Sequence, residues 1–282
     1  MMDVSRIGFI QGRLSPQIGQ KIQAFPGPYW KEEFPLARSC GFSRMEWTLD
    51  QEGLFENPLL RPEGRELIRE LCRENNLMIG SVTGDFFMQA PFFKAAGSIR
   101  EELFDQLVAV IEGCAAARVP ILVLPLVDQG RIEDAGQEEG FFAYAAKLDQ
   151  RLRAHGMMIC LESDLPPEKL GIFLQGLDPL LWGVNYDIGN SAAFGFDYRQ
   201  EIPRLATWIK NVHVKDRVRG GGTVPLGQGQ ADIRGAIHLL EACGYRGNYI
   251  LQTARSPQGL HAEVLSQYRD MVISYLGEIH GS

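Results

Sequence analysis

At 282 residues, 45% hydrophobic and 22% charged, the chain has the composition of an ordinary globular protein with length enough for one barrel-sized core, which excludes extensive disorder. The net charge is −7 and no Lys/Arg run occurs, so the electrostatic footprint of a phosphate-backbone binder is missing and no nucleic-acid partner is expected. No apolar run approaches the roughly 18 residues of a membrane span, and MMDVSRIGFIQGR holds no signal-peptide core, so the expectation is a cytoplasmic protein with no membrane contact.

From the N-terminus onward, short apolar runs alternate with amphipathic stretches. Strands are expected at 7–11, 44–47, 78–82, 121–126, 158–162, 183–187, 209–213 and 249–252. Runs this continuously apolar belong to parallel sheets covered on both sides, and eight of them separated by helices close a barrel. The fold expected is therefore α/β, a single (β/α)8 barrel spanning 1–282. Helical periodicity is legible between the strands: Leu67 and Leu71 share one face, with Glu66, Glu70 and Glu74 beside them. Gly41, Gly156 and Gly244 each follow a helix and precede a strand, the position of a left-handed C-terminal cap. Pro28, Pro62, Pro166 and Pro167 fall near helix starts, where a missing N–H costs little. Segments 14–27 and 217–232 are longer than a barrel connection requires and are candidate lids.

Cys40, Cys72, Cys114, Cys160 and Cys243 are odd in number, lack CxxC spacing and sit among apolar neighbours, as free thiols of a reducing compartment do. His155, His238, His261 and His280 lie in or beside helices and carry no expected chemistry.

Three of the runs deliver a ligand-type side chain at the C-terminal end: MMICLE ends in Glu162, WGVNYD in Asp187 and IKNVH in His213. Each lies about one βα unit from the next, so the three converge on the mouth where barrel active sites are built. Hard carboxylate oxygens with one imidazole suit Mn²⁺, Mg²⁺, Co²⁺ or Zn²⁺, and the lack of Cys ligands disfavours a closed structural zinc site. A fourth run, NYILQ, ends in Gln252. His213 and Lys215 alternate to the same side, so Lys215 can reach a substrate phosphate, carboxylate or carbonyl, and Arg217 can clamp an anionic or hydroxyl-rich ligand. Gln11 and Glu46, at the ends of the first two strands, are placed to hydrogen-bond sugar hydroxyls from the rim. Trp47, Phe86, Phe87, Trp182 and Phe194 are either an apolar wall for a sugar ring or core packing. The Gly227 to Gly229 turn has the backbone of an anion cradle, whereas no dinucleotide fingerprint and no G-x-S-x-G elbow occurs.

The succession LES, YDIGN, NVHVKDR and PLGQGQAD, with the opening IGFIQGRLSP and the strand GFSRMEW, resembles the sugar phosphate isomerase/epimerase superfamily of xylose isomerase-like TIM barrels over nearly the whole chain. The resemblance implies a divalent metal bound by Glu162, Asp187, His213 and the residue at 252, which in that superfamily is normally Glu. This chain has Gln252, whose carboxamide can ligate a hard cation but carries no charge and takes no proton near neutrality. It also has Asn190 where several members carry His, leaving Asn190 as a substrate-binding candidate. Both departures weaken two-base epimerisation. The expected function is a metal-dependent isomerase or epimerase of a sugar, sugar phosphate or related polyol, working through a metal-stabilised ene-diolate with Glu162 as the single base and Lys215 assisting. The alternatives are an inosose-type dehydratase and a catalytically silent sugar-binding homologue. The partner expected is a small carbohydrate, with homo-oligomerisation left open.

Overall fold

A computed structural model describes residues 3–19, 21–256 and 258–280, the side chain of His280 excepted, so the expectation for His280 lies outside the described residues. The strands β1 (Ile7–Ile10), β2 (Arg44–Thr48), β3 (Met78–Thr83), β4 (Ile121–Leu126), β5 (Met158–Ser163), β6 (Trp182–Asp187), β7 (Ile209–Val214) and β10 (Asn248–Leu251) close a barrel in the order β1-β10-β7-β6-β5-β4-β3-β2. Every neighbouring pair is parallel. Between β7 and β10 a small antiparallel pair, β8 (Asp216–Arg217) and β9 (Thr223–Val224), forms in the segment expected as a lid. The single (β/α)8 barrel is thus the fold observed.

The apolar runs become strands because both their faces are covered. Leu122, Val123 and Leu124 in β4 are fully buried, as are Ile159, Cys160 and Leu161 in β5. The surrounding helices press a stripe onto them: in the helix Ala135–His155, Phe141, Ala145, Leu148 and Leu152 recur every three to four residues and all are buried. Asp134 opens that helix by accepting the Gln137 amide, and Gly156 closes it at φ 62°.

Of the five aromatic residues considered for a sugar wall, Trp47, Phe86, Phe87 and Trp182 are core, exposed 2% or less. The Trp47 indole donates to Asn57 and that of Trp182 to Asp149, each at 2.9 Å. All five cysteines are free thiols.

The parallel ladder slips by one residue between Met45 and Glu46 and again between Val184 and Asn185. The extra residues are Gly80 in β3 and Lys210 in β7, and the polar residues that follow them, Ser81 and Asn211, both hydrogen-bond Glu46 inside the barrel.

Candidate functional site

Period-two alternation sets the layers of the barrel interior. Asn185 lies two residues before Asp187 on β6, and Asn211 two residues before His213 on β7; the register pairs Asn185 with Asn211 and Asp187 with His213. The Asn211 amide donates to the Asn185 carbonyl oxygen at 2.9 Å and to Glu46 Oε2 at 3.0 Å, and Ser81 Oγ donates to the same Glu46 oxygen at 2.6 Å. These residues make a buried polar floor, and His213 stands on it.

His213 is wholly buried, with Nε2 2.7 Å from Glu46 Oε1 and Nδ1 3.1 Å from Glu162 Oε2. Burial opposes a charge on the ring, but Glu46 and Glu162 outweigh it and hold the His213 pKa well above its ordinary value. A carboxylate can only accept, so Nε2 carries its proton toward Glu46 and Nδ1 is the nitrogen directed at Glu162 and Asp187. Asp187 Oδ2 lies 3.9 Å from Nδ1. One ligand atom each from Glu162, Asp187 and His213 fall within 4.8 Å of one another, and all three residues are buried. A cluster of two carboxylates and one oriented imidazole fits a hard or borderline divalent cation, with Glu46 fixing the ring as carboxylates do behind metal-binding histidines.

Each carboxylate is held from the side. Asp187 caps the helix Ile188–Phe194, its Oδ1 accepting the Asn190 amide at 2.8 Å. Glu162 accepts from Asn185 and from the Asn190 side chain, each at 2.7 Å. Burial works against its charge, but His213, Lys215 and Asn185 prevail and keep the Glu162 pKa below the usual value. Asp187 is pushed the other way, chiefly by burial and by Glu162, with Lys215 and His213 in opposition.

Lys215 Nζ donates to Asp187 Oδ2 at 3.2 Å and to Gln252 Oε1 at 2.9 Å, and so joins the fourth predicted ligand to the cluster through an ammonium group. Gly189 permits that placement, since a Cβ there would stand 2.9 Å from the Lys215 backbone. Arg217 donates to the Asn190 side-chain oxygen at 2.8 Å.

Above the cluster opens a cavity of about 290 Å³ whose lining includes Glu162, Asn190, Lys215, Arg217 and Gln252. Ile22 and Gln23 from one long segment and Gly222 and Thr223 from the other also line it, as does Phe194. Gln11 and Glu46 depart from expectation. Both are fully buried below the rim: Gln11 accepts the Thr48 amide at 3.1 Å, and Glu46 is engaged by His213, Ser81 and Asn211. Neither lines the cavity: β2 runs on to Thr48, so Glu46 lies two residues below the end of its strand, where it meets His213.

The Gly227 to Gly229 turn is an anion cradle, but the anion is internal. Asp216 accepts the amides of Gly227 at 2.9 Å, Gly229 at 2.8 Å and Ala231 at 3.1 Å, and a Cβ at Gly229 would collide with its carboxylate. Asp216 is fully buried. Asp216→Ala should therefore cost about 2–3 kcal/mol, the scale for hydrogen bonds to a charged group, read as a lower urea midpoint with unchanged slope.

Asn185, Asn211 and Ser81 are functional neighbours that motif reading missed. Their signal is a polar residue inside an apolar strand, two positions before a ligand in the case of the two asparagines. Asp85, one residue beyond Gly84 at the end of β3, also lines the cavity.

A closed parallel barrel with hard donors gathered at its C-terminal mouth defines an enzyme-type α/β barrel. The chain belongs to the xylose isomerase-like TIM barrel family, whose model matches residues 34–270. An L-ribulose-5-phosphate 3-epimerase of Escherichia coli is 25% identical over 276 residues, covering 92% of this chain and 95% of the relative. A xylose isomerase domain protein from Planctomyces limnophilus superposes with a TM-score of 0.76 at 14% identity, covering 98% of this chain and 99% of that one. The IOLI protein, solved with a bound zinc atom, superposes with a TM-score of 0.73 at 15% identity, covering 97% and 98%. Among the described residues no helix is long and apolar enough to cross a membrane.

Proposed function

We propose that the protein is a divalent-metal-dependent isomerase or epimerase of a small ketose or ketose phosphate, with Glu162 as the base that moves the carbon-bound proton. The observation that carries this reading is the buried Glu162, Asp187 and His213 cluster, opening on a cavity lined by Lys215 and Arg217. Glu162, Asp187, His213 and Gln252 are the residues that would hold the cation. Sugar epimerase activity in a relative and zinc in a structural neighbour support the same choice. When bound, a divalent cation supplies Lewis-acid stabilisation of negative charge on adjacent carbonyl and hydroxyl oxygens.

The chain's own residues do the rest. Glu162 is kept ionised by His213, Lys215 and Asn185 and is aimed by Asn185 and Asn190, so it is ready to accept a proton. Lys215 presents a positive charge to an oxygen at the mouth, and Asn190 and Arg217 orient hydroxyls or a phosphate at the cavity wall. Ile22 and Gln23 on one side and Gly222 and Thr223 on the other screen the cavity from water. Five free thiols support a reducing, cytoplasmic setting.

The test is elemental analysis for bound Mn, Mg, Co or Zn, followed by incubation of the loaded protein with ketoses and ketose phosphates in D₂O. Uptake of deuterium at the carbon beside the carbonyl is expected. Sugar binding without exchange would instead make the protein a silent binding homologue.

Gln252→Glu tests the single-base part. A third carboxylate in the cluster should tighten divalent-metal binding roughly tenfold through added charge and should raise any two-base epimerisation. Native protein that epimerises with rapid solvent exchange, together with a Gln252→Glu variant that does not, would overturn it.

A further inference from the structure

Asp85 is the one carboxylate lining this cavity besides Glu162 and Asp128, and its surroundings differ from those of either. The β3 strand ends at Thr83, and Gly84 packs so closely on the Val123 carbonyl that a Cβ would lie 2.8 Å from it. That contact delivers Asp85 into the barrel mouth at the start of the helix Asp85–Gln89, where it is 7% exposed. Its hydrogen bonding is thin: Thr83 Oγ1 donates to Oδ1 at 3.4 Å, and no other side-chain bond to it is formed among the described residues.

The nearby cations are engaged elsewhere. Lys215 is committed to Asp187 and Gln252, and Arg13 donates to the Thr253 and Ile22 carbonyls. The nearby Asp50, by contrast, accepts the Phe25 amide at 2.7 Å and the Gln89 amide group at 3.2 Å. The charges facing Asp85 are Asp50 and Glu46 from the end of β2 and just beyond it, Glu162 from β5, Lys215 after β7 and Arg13 after β1. Burial above all, then Asp50, Glu162 and Glu46, outweigh Lys215 and push the Asp85 pKa up to about 7.

We propose that Asp85 is a second catalytic group of this site, a carboxylic acid in the cavity that exchanges a proton with a substrate oxygen while Glu162 exchanges one with carbon. This rests on the isomerase or epimerase reading and supplies the acid partner that Gln252 cannot be. In the forward step Glu162 takes the proton from the carbon beside the carbonyl, and the C–H electron pair becomes the new C=C bond. The carbonyl π pair moves to oxygen and takes up the Asp85 proton. In the return step the Asp85 carboxylate recovers a proton from an enediol hydroxyl as Glu162 gives its proton back to carbon, so both groups end as they began. Paired carboxyl groups whose surroundings drive their proton affinities apart divide acid and base roles in this way.

The experiment uses metal-loaded wild type, Asp85→Asn, Asp85→Ala and Asp85→Glu, with L-ribulose 5-phosphate and D-tagatose as probes in D₂O on both sides of neutral pH. Wild-type exchange should fall as pH rises through neutrality and the acid is lost. The Asn and Ala variants should exchange about 10²-fold more slowly or worse, lack that alkaline fall and keep KM within a few-fold, and Asp85→Glu should recover part of the rate. In parallel, the Asp carboxyl ¹³C resonance absent from Asp85→Asn should titrate near neutrality. Asp85→Asn with the wild-type rate and pH profile, or a resonance that titrates in the ordinary carboxylate range, overturns the acid role alone. Wild type that exchanges neither sugar overturns the isomerase reading and the acid role with it.

Discussion

Glu162→Gln is expected to lower solvent-proton exchange into substrate by roughly 10²–10⁴-fold, the contribution of a positioned general base. The substitution is nearly isosteric, and its effect should separate from folding. Glu162 lies on the wall of the cavity, held by the Asn185 and Asn190 amides, while the apolar layers that stabilise β5 are Ile159, Cys160 and Leu161 beneath it. A carboxamide there keeps the shape but cannot take the proton, and it removes one of the carboxylates facing His213 Nδ1. Thermal stability should fall by the cost of the one hydrogen bond, from Asn185 or Asn190, that a carboxamide cannot accept, about 1–3 kcal/mol, while exchange collapses. With divalent metal held saturating, because Glu162 is also a proposed ligand of the cation, stopped-flow substrate binding would show affinity within a few-fold of wild type, since lost base catalysis lowers kcat and leaves ground-state contacts in place. Exchange persisting in Glu162→Gln within tenfold of wild type would move the base elsewhere.

The barrel was legible because parallel strands covered on both faces must be apolar throughout, and the donors stood out as the residues that break each run at its mouth end. Glu162, Asp187 and His213 were found on that basis and do lie together. What remained hidden depends on register. Glu46 is expected at the end of its strand as Glu162 is, but β2 runs on through Trp47 to Thr48, which leaves Glu46 deeper in the barrel, where it orients His213 and is fully buried. The register slip beside Met45 does carry a mark, since the extra residue is Gly80 inside β3. Asn185 and Asn211 could have been found by counting two residues back from each ligand, since alternation places them on the same face. The GxG turn shows the opposite limit: backbone amides advertise an anion, yet nothing local says that the anion is Asp216, more than ten residues upstream. Asp85 was masked by its setting, one residue past a glycine and next to two phenylalanines that read as core.

His213→Ala should abolish stoichiometric divalent-metal retention, because it removes the one nitrogen donor and the only ring whose orientation Glu46 secures. Loss of a carboxylate behind a metal-binding histidine costs about 10–100-fold in affinity, so loss of the ligand itself should cost more. The same geometry sets the pH dependence. In the metal-free protein His213 is held protonated by Glu46 and Glu162, with its pKa well above the ordinary value. A cation binding at Nδ1 must displace that proton. Affinity should therefore rise with pH, by about tenfold per unit for each proton released, up to the raised pKa, and flatten above it. Isothermal titration in two buffers of different ionisation heat would count the released proton directly. His213→Ala should bind weakly and with that proton missing from the count, whereas a variant that retains metal with an unchanged pH slope would show that the cation is held without this imidazole.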